Sequence, residues 1–169
     1  MKDRLYLIDG HALVFKMYYA FLRRPMINSK GADMSILFGF TKYILELINR
    51  EHPEYLAVAF DPPGGTFRNV MYPEYKATRA ATPQLVIDAL EPLTGICRAL
   101  KIPVLMVPGF EADDVIGSMA KREAASGKLV YMVTPDKDYG LLIVEHISQV
   151  STGESGGADE NEQVKAVSE

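Results

Sequence analysis

The sequence predicts an α/β fold: a parallel, twisted sheet with helices on both faces. Short apolar runs of strand length alternate with longer segments whose apolar residues recur at helical spacing. The runs are apolar throughout, as strands buried on both faces are. Four acidic stretches follow these runs, at the edge of a parallel sheet where ligands bind. The 169 residues, 48% of them hydrophobic, suffice for one domain with a substantial core.

Each element follows in order. Leu5–Ile8 is a first buried strand, and His11 to Leu22 carries Leu13, Phe15, Met17, Tyr18 and Phe21 at helical spacing. Pro25 to Gly31 reads as a loop from its Pro, Asn, Ser and Gly content. A second helix is expected over Asp33 to Arg50, with Ile36, Leu37, Phe40, Ile44, Leu47 and Ile48 facing inward. Tyr55 to Phe60 is the second strand, and Pro62 to Thr82 has no clear periodicity. Pro83 suits a first helical residue behind Thr82 as N-cap, and that helix runs to about Leu100. Pro103 to Val107 is the third strand, and Glu111 opens a helix that Gly127 ends. Leu129 to Thr134 is the fourth strand, and a shorter helix is expected to start near Asp138. Residues 151–169 combine Ser, Gly and Glu with no aromatic residue and predict a disordered acidic tail.

Composition narrows the function classes. No apolar run reaches the roughly 18 residues of a membrane span, and the N-terminus lacks the pattern of a signal peptide. Cys97, the single cysteine, cannot form an internal disulfide and fits a helix core, so a cytoplasmic protein is expected. The net charge of -4 is carried entirely by the tail, where five acids face Lys165. Residues 1–150 carry 17 acids and 17 bases, and seven of those acids lie in the four stretches. The remainder is basic, which suits a polyanionic substrate.

The seven are Asp9, Asp61, Glu111, Asp113, Asp114, Asp136 and Asp138. Like charges gather only with a counter-charge, and an all-oxygen cluster suits Mg2+ or Mn2+. At a helix start, Glu111 and Asp114 share one face with Asp113 beside them. A divalent ion in an acidic pocket points to phosphodiester hydrolysis. A dinucleotide site is excluded because Asp9-Gly10-His11-Ala12 lacks the glycine fingerprint. An aspartyl-nucleophile phosphatase needs a second Asp where His11 stands. His11 is expected to face solvent or a neighbouring carboxylate.

Phe67, Arg68, Tyr72, Tyr75, Lys76 and Arg79 interleave rings with cations directly after Asp61. Cations can hold phosphate and tyrosines can stack on unpaired bases. Arg23, Arg24 and Lys30 form a second basic group suited to a duplex backbone.

The phrases Leu-Ile-Asp-Gly, Ala-Val-Ala-Phe-Asp, Phe-Arg…Tyr-Pro-Glu-Tyr-Lys-Ala-Thr-Arg, Gly-Phe-Glu-Ala-Asp-Asp and Val-Thr-Pro-Asp-Lys-Asp-Tyr-Gly closely resemble the N-terminal 5'-3' exonuclease domain of bacterial DNA polymerase I. That domain is in the flap endonuclease group with a PIN-like fold. The resemblance covers about residues 4–147. It implies a first metal set of Asp9, Asp61, Glu111, Asp113 and Asp114, and places Asp136 and Asp138 in a second. It gives Arg68, Lys76 and Arg79 catalytic roles at the base of an arch, about residues 62–82, that threads a 5' single strand. The implied activity is hydrolysis of DNA at single-strand/duplex junctions, as in primer and flap removal during replication and repair. The implied cofactor is Mg2+ (or Mn2+) alone, the partner is DNA, and the chain acts as a monomer without a membrane.

From Ser148 the resemblance stops, before further second-metal ligands and a helix–hairpin–helix that grips duplex DNA. The expectation is a partial, C-terminally truncated domain over 1–150, as a shifted or shortened reading frame would give, with the second metal set incomplete. Two alternatives stay open: a catalytically impaired fragment that keeps metal or nucleic-acid binding, and a stand-alone PIN-type ribonuclease.

Overall fold

The computed structural model describes residues 3–64, 66–72, 74, 81–134 and 147–150. In chain order the elements are β1 (Arg4–Asp9), α1 (Gly10–Phe21), α2 (Ser35–Glu51), β2 (Tyr55–Ala59), α3 (Phe67–Met71), α4 (Gln84–Ala99), β3 (Val104–Leu105), α5 (Ala112–Ala125), β4 (Leu129–Val133) and β5 (Ile147–Val150). The strands form one sheet in the order β3-β2-β1-β4-β5, and every neighbouring pair is parallel.

Strand periodicity divides the core in two. Along β1, Tyr6 and Ile8 turn to one face and Leu5 and Leu7 to the other, all buried. The first face is closed by α1, α2 and α4 through Leu13, Val14, Ile36, Phe40, Ile44, Val86 and Leu93. The second is closed by α5 through Ala112, Ile116, Ala120 and Ala124. Each fully buried Leu, Ile or Phe stabilises the fold by roughly 1.5–3 kcal/mol, so neither face tolerates a change of strand register. Tyr6 and Tyr131, partners across β1 and β4, stack at 4.7 Å between ring centroids.

This topology creates the site. From β1 the chain winds outwards to β2 and β3 over the α1–α2–α4 face, then returns over the other face through α5 to β4. The winding reverses between β1 and β4, and in parallel sheets ligands bind beyond the carboxyl ends of the strands at such a point. Gly10 is required at that edge. An added Cβ would stand 2.6 Å from Val58 Cγ1 and 2.8 Å from the Ala59 carbonyl oxygen.

Several element ends differ from the sequence expectation. Pro83 is itself the N-cap of α4, with an extended ψ of 139°, so Thr82 stands one residue further out. Asp33 lies outside α2 and accepts the Ser35 N–H at 2.8 Å. β3 is only two residues long because it pairs just with Val58 and Ala59, near the end of β2. α3 emerges within the stretch that shows no periodicity, since five residues are too few to display one. β5 was not expected either; it adds a parallel edge to β4, with Ile147 buried. Gly127 does follow α5, at φ 94°, where a side chain would strain the backbone. The expected helix near Asp138 and the tail 151–169 lie outside the described residues. Among the described residues no helix is long and apolar enough to cross a membrane.

Candidate active site

Asp9 closes β1 and caps α1: its Oδ1 accepts the Ala12 N–H at 2.9 Å, and the residue is buried. Its Oδ2 lies 3.5 Å from the Thr134 hydroxyl at the end of β4. Asp61 stands just beyond β2, two residues past Ala59, the strand partner of Asp9. Its Oδ1 accepts the Ala112 N–H in the first turn of α5 at 2.8 Å. Its Oδ2 is 3.4 Å from His11 Nε2. The neighbouring carboxylate expected for His11 is therefore Asp61.

Glu111 is the N-cap residue of α5 and is buried; Asp113 and Asp114 occupy the first helical turn. The positive end of the helix dipole favours acids there, yet three carboxylates in four residues need more compensation than a dipole provides. Arg68, from α3, supplies it. Its Nη1 and Nη2 donate to the two oxygens of Asp114 at 2.6 and 2.7 Å, and Nη1 also lies 3.5 Å from Glu111 Oε2. The three surrounding acids raise the Arg68 pKa well above its ordinary value, Asp114 most of all. Asp114 Oδ2 further accepts the Glu111 backbone N–H at 3.1 Å.

Asp113 is placed differently. Desolvation first, then the Asp114 charge, hold its carboxyl above the usual carboxylate range. Its Oδ1 accepts the Asp114 N–H at 2.7 Å.

The all-carboxylate donor chemistry at this edge fits a hard divalent cation. As placed, however, these side chains face Arg68, His11 and backbone N–H groups. Among the described residues no group of three His, Cys, Asp or Glu side chains is set to hold a metal ion. Asp136, Asp138, Tyr75, Lys76 and Arg79 lie outside the described residues. Arg23, Arg24 and Lys30 are exposed on the α1–α2 connection and pair with none of the described carboxylates. Tyr72 is exposed, with its hydroxyl donating to Glu74 at 3.0 Å.

Two participants, Thr134 and Phe110, were not among the sequence candidates for the site. Thr134 belongs beside Asp9, and its position at the end of β4 was the available signal. The ring of Phe67 packs against Phe110 at 5.4 Å and lies under the Arg68 guanidinium at 4.8 Å. No spacing in the sequence joins those two rings.

The site thus sits on a parallel α/β sheet, with acids standing at the end of β1, just after β2 and in the first turn of α5. Residues 4–168 match the family described as 5'-3' exonuclease, N-terminal resolvase-like domain, and the chain belongs to that family. It is 37% identical over 153 residues to DNA polymerase I of Chloroflexus aurantiacus, covering 90% of this chain and 16% of the polymerase. It is 35% identical over 143 residues to the 5'-3' exonuclease of Aquifex aeolicus, covering 85% of this chain and 49% of that protein. The chain thus spans a small part of the polymerases and about half of the separate exonuclease. The bacteriophage T5 D15 flap endonuclease, solved as a pseudo-enzyme-product complex with DNA and metal ions, shares the fold. Its TM-score is 0.66 at 18% identity, over 89% of this chain and 55% of that one.

Proposed function

We propose that the chain is a divalent-metal-dependent 5'-3' exonuclease and 5'-flap endonuclease domain that hydrolyses DNA at single-strand/duplex junctions. The observation that carries this reading is the convergence of Asp61 and the α5 acids: Asp61 bonds the very turn that presents Glu111, Asp113 and Asp114. Family membership makes phosphodiester hydrolysis the chemistry that such an edge serves.

In this reading Asp9, Asp61, Glu111 and Asp113 would hold a first Mg2+ or Mn2+, with Asp114 beside them, and Asp136 and Asp138 would serve a second. Bound there, the ions supply an activated water and stabilise the leaving oxygen. The protein's own part is to hold the acids still. The α1 cap fixes Asp9, the Ala112 N–H and His11 fix Asp61, and Arg68 balances the α5 acids. Lys76 and Arg79 would hold the scissile phosphate within the arch of about residues 62–82. Arg23, Arg24 and Lys30 would meet the duplex backbone, and Tyr72 and Tyr75 unpaired bases. Residues 1–150 would form the working domain and 151–169 a tail, in a cytoplasmic monomer.

The test is cleavage of a 5'-flap DNA by the purified chain with Mg2+. Junction-specific cleavage that is lost in Asp113→Asn and in EDTA is the expected result. Absence of cleavage at high enzyme, with duplex binding also absent, overturns the reading.

A further inference from the structure

We propose that Asp114 is a positioning residue and not a metal ligand: through Arg68 it fixes Glu111 and the start of α3, and leaves the ion to Asp9, Asp61, Glu111 and Asp113. The metal half of this division rests on the function proposed above; the anchoring half does not.

The two neighbouring aspartates are engaged in opposite ways. Both Asp114 oxygens are committed to the guanidinium fork, at 2.6 and 2.7 Å, and Oδ2 takes a third bond from the Glu111 N–H at 3.1 Å. A planar bidentate pair of this kind uses the lone pairs that a cation would need. For Asp114 to ligate an ion, Arg68 would have to be released from a short, half-buried fork. The ion would then share the site with a displaced cation. Glu111 meets Arg68 at 3.5 Å, and its side chain accepts the N3 backbone N–H in the α5 capping box. Asp113 accepts one N–H through Oδ1 and is exposed.

Arg68 is also held from behind. The Phe67 ring lies under its guanidinium at 4.8 Å, and the Phe67 N–H donates to the Gly109 carbonyl at 2.7 Å. The Phe67–Phe110 ring contact closes the same joint. The fork therefore ties the start of α3 to the turn between β3 and α5, so that the chain beyond α3 departs from a fixed point next to the acids. An anchor accounts for a fork so short and so fully supported.

The experiment uses the full chain with Asp114→Asn, Arg68→Gln, the double variant, Arg68→Lys and Asp113→Asn. Thermal unfolding in EDTA reads the anchor. Asp114→Asn and Arg68→Gln should each lower Tm by several degrees, and the double variant no further than the worse single. Arg68→Lys keeps the charge but loses the fork, so it should recover little; Asp113→Asn should leave Tm unchanged or higher. Additive losses, or full recovery by Lys, overturn the anchor. Crystals of the wild-type chain soaked in Mn2+ read the ligands. The fork should remain closed with no Asp114 oxygen within about 2.5 Å of the ion; an Asp114 oxygen on the ion overturns the proposal. A wild-type chain that takes up no Mn2+ removes the metal reading, and the unfolding cycle then decides the anchor by itself.

Discussion

Asp61 accepts the backbone N–H of Ala112 at 2.8 Å and so joins the end of β2 to the first turn of α5, 51 residues away in the chain. One carboxylate thereby satisfies a helix-start donor that has no partner within its own helix, and it sets where Glu111 and Asp113 stand.

The two duties of Asp61 can be separated. Asp61→Asn keeps an oxygen for the Ala112 N–H while removing the charge, so stability should change by less than about 0.5 kcal/mol. Asp61→Ala removes both and should cost about 1–2 kcal/mol. Chemical denaturation of the two variants checks this, and flap cleavage should be lost in both. Equal destabilisation by Asn and Ala would refute a capping role.

Gly10→Ala should be severe. Its Cβ would sit 2.6 Å from Val58 Cγ1, 2.7 Å from a Phe60 ring carbon and 2.8 Å from the Ala59 carbonyl. A side chain can turn away, but the backbone oxygen of a paired strand cannot. A loss of about 2–4 kcal/mol is expected, at or above the upper part of the usual range for overpacking, read as a lowered denaturation midpoint.

Cys97 is fully buried in α4, and burial pushes its thiol from 9.0 up to about 11. The folded state holds that proton more tightly than the unfolded chain does. Its contribution is therefore intact below pH 9 and lost as pH rises through 11, about 2.7 kcal/mol in all. The difference in stability between the wild type and Cys97→Ala, measured from pH 8 to 10.5, should shrink accordingly. Iodoacetamide at pH 8 should modify the thiol only in the denatured chain; rapid labelling of the native protein would contradict the burial.

Tyr6 joins the sheet to the end of α2, its hydroxyl donating to Glu51 Oε2 at 3.1 Å. Tyr6→Phe keeps the stack on Tyr131 and removes only that bond. A cost of about 1 kcal/mol is expected, because the part-exposed Glu51 can turn to water. A loss above about 3 kcal/mol would mean that the hydroxyl supports more than this one contact.

Much of the candidate site is legible in the chain because strand ends are. An apolar run closed by an acid marks both where a strand stops and which edge it reaches, so Asp9 and Asp61 can be placed without coordinates. Glu111 is legible as a helix start, since acids favour that end of a helix. His11 beside a carboxylate was foreseeable in kind, but not that the carboxylate would be Asp61. α3 escapes detection because a single turn has no period. β5 escapes because its Ser148 and Gln149 interrupt the apolar run that marks the other strands.

Local order alone determined the layered α/β body, the edge at which the acids lie and the residue types gathered there, because periodicity and capping act over a few neighbouring residues. Only the folded chain decided who faces whom: Arg68 on Asp114 across 46 positions, Asp61 on Ala112, Thr134 beside Asp9 across 125. Such pairings depend on the winding of the sheet and on side-chain geometry at its switch point, to which no spacing along the chain corresponds.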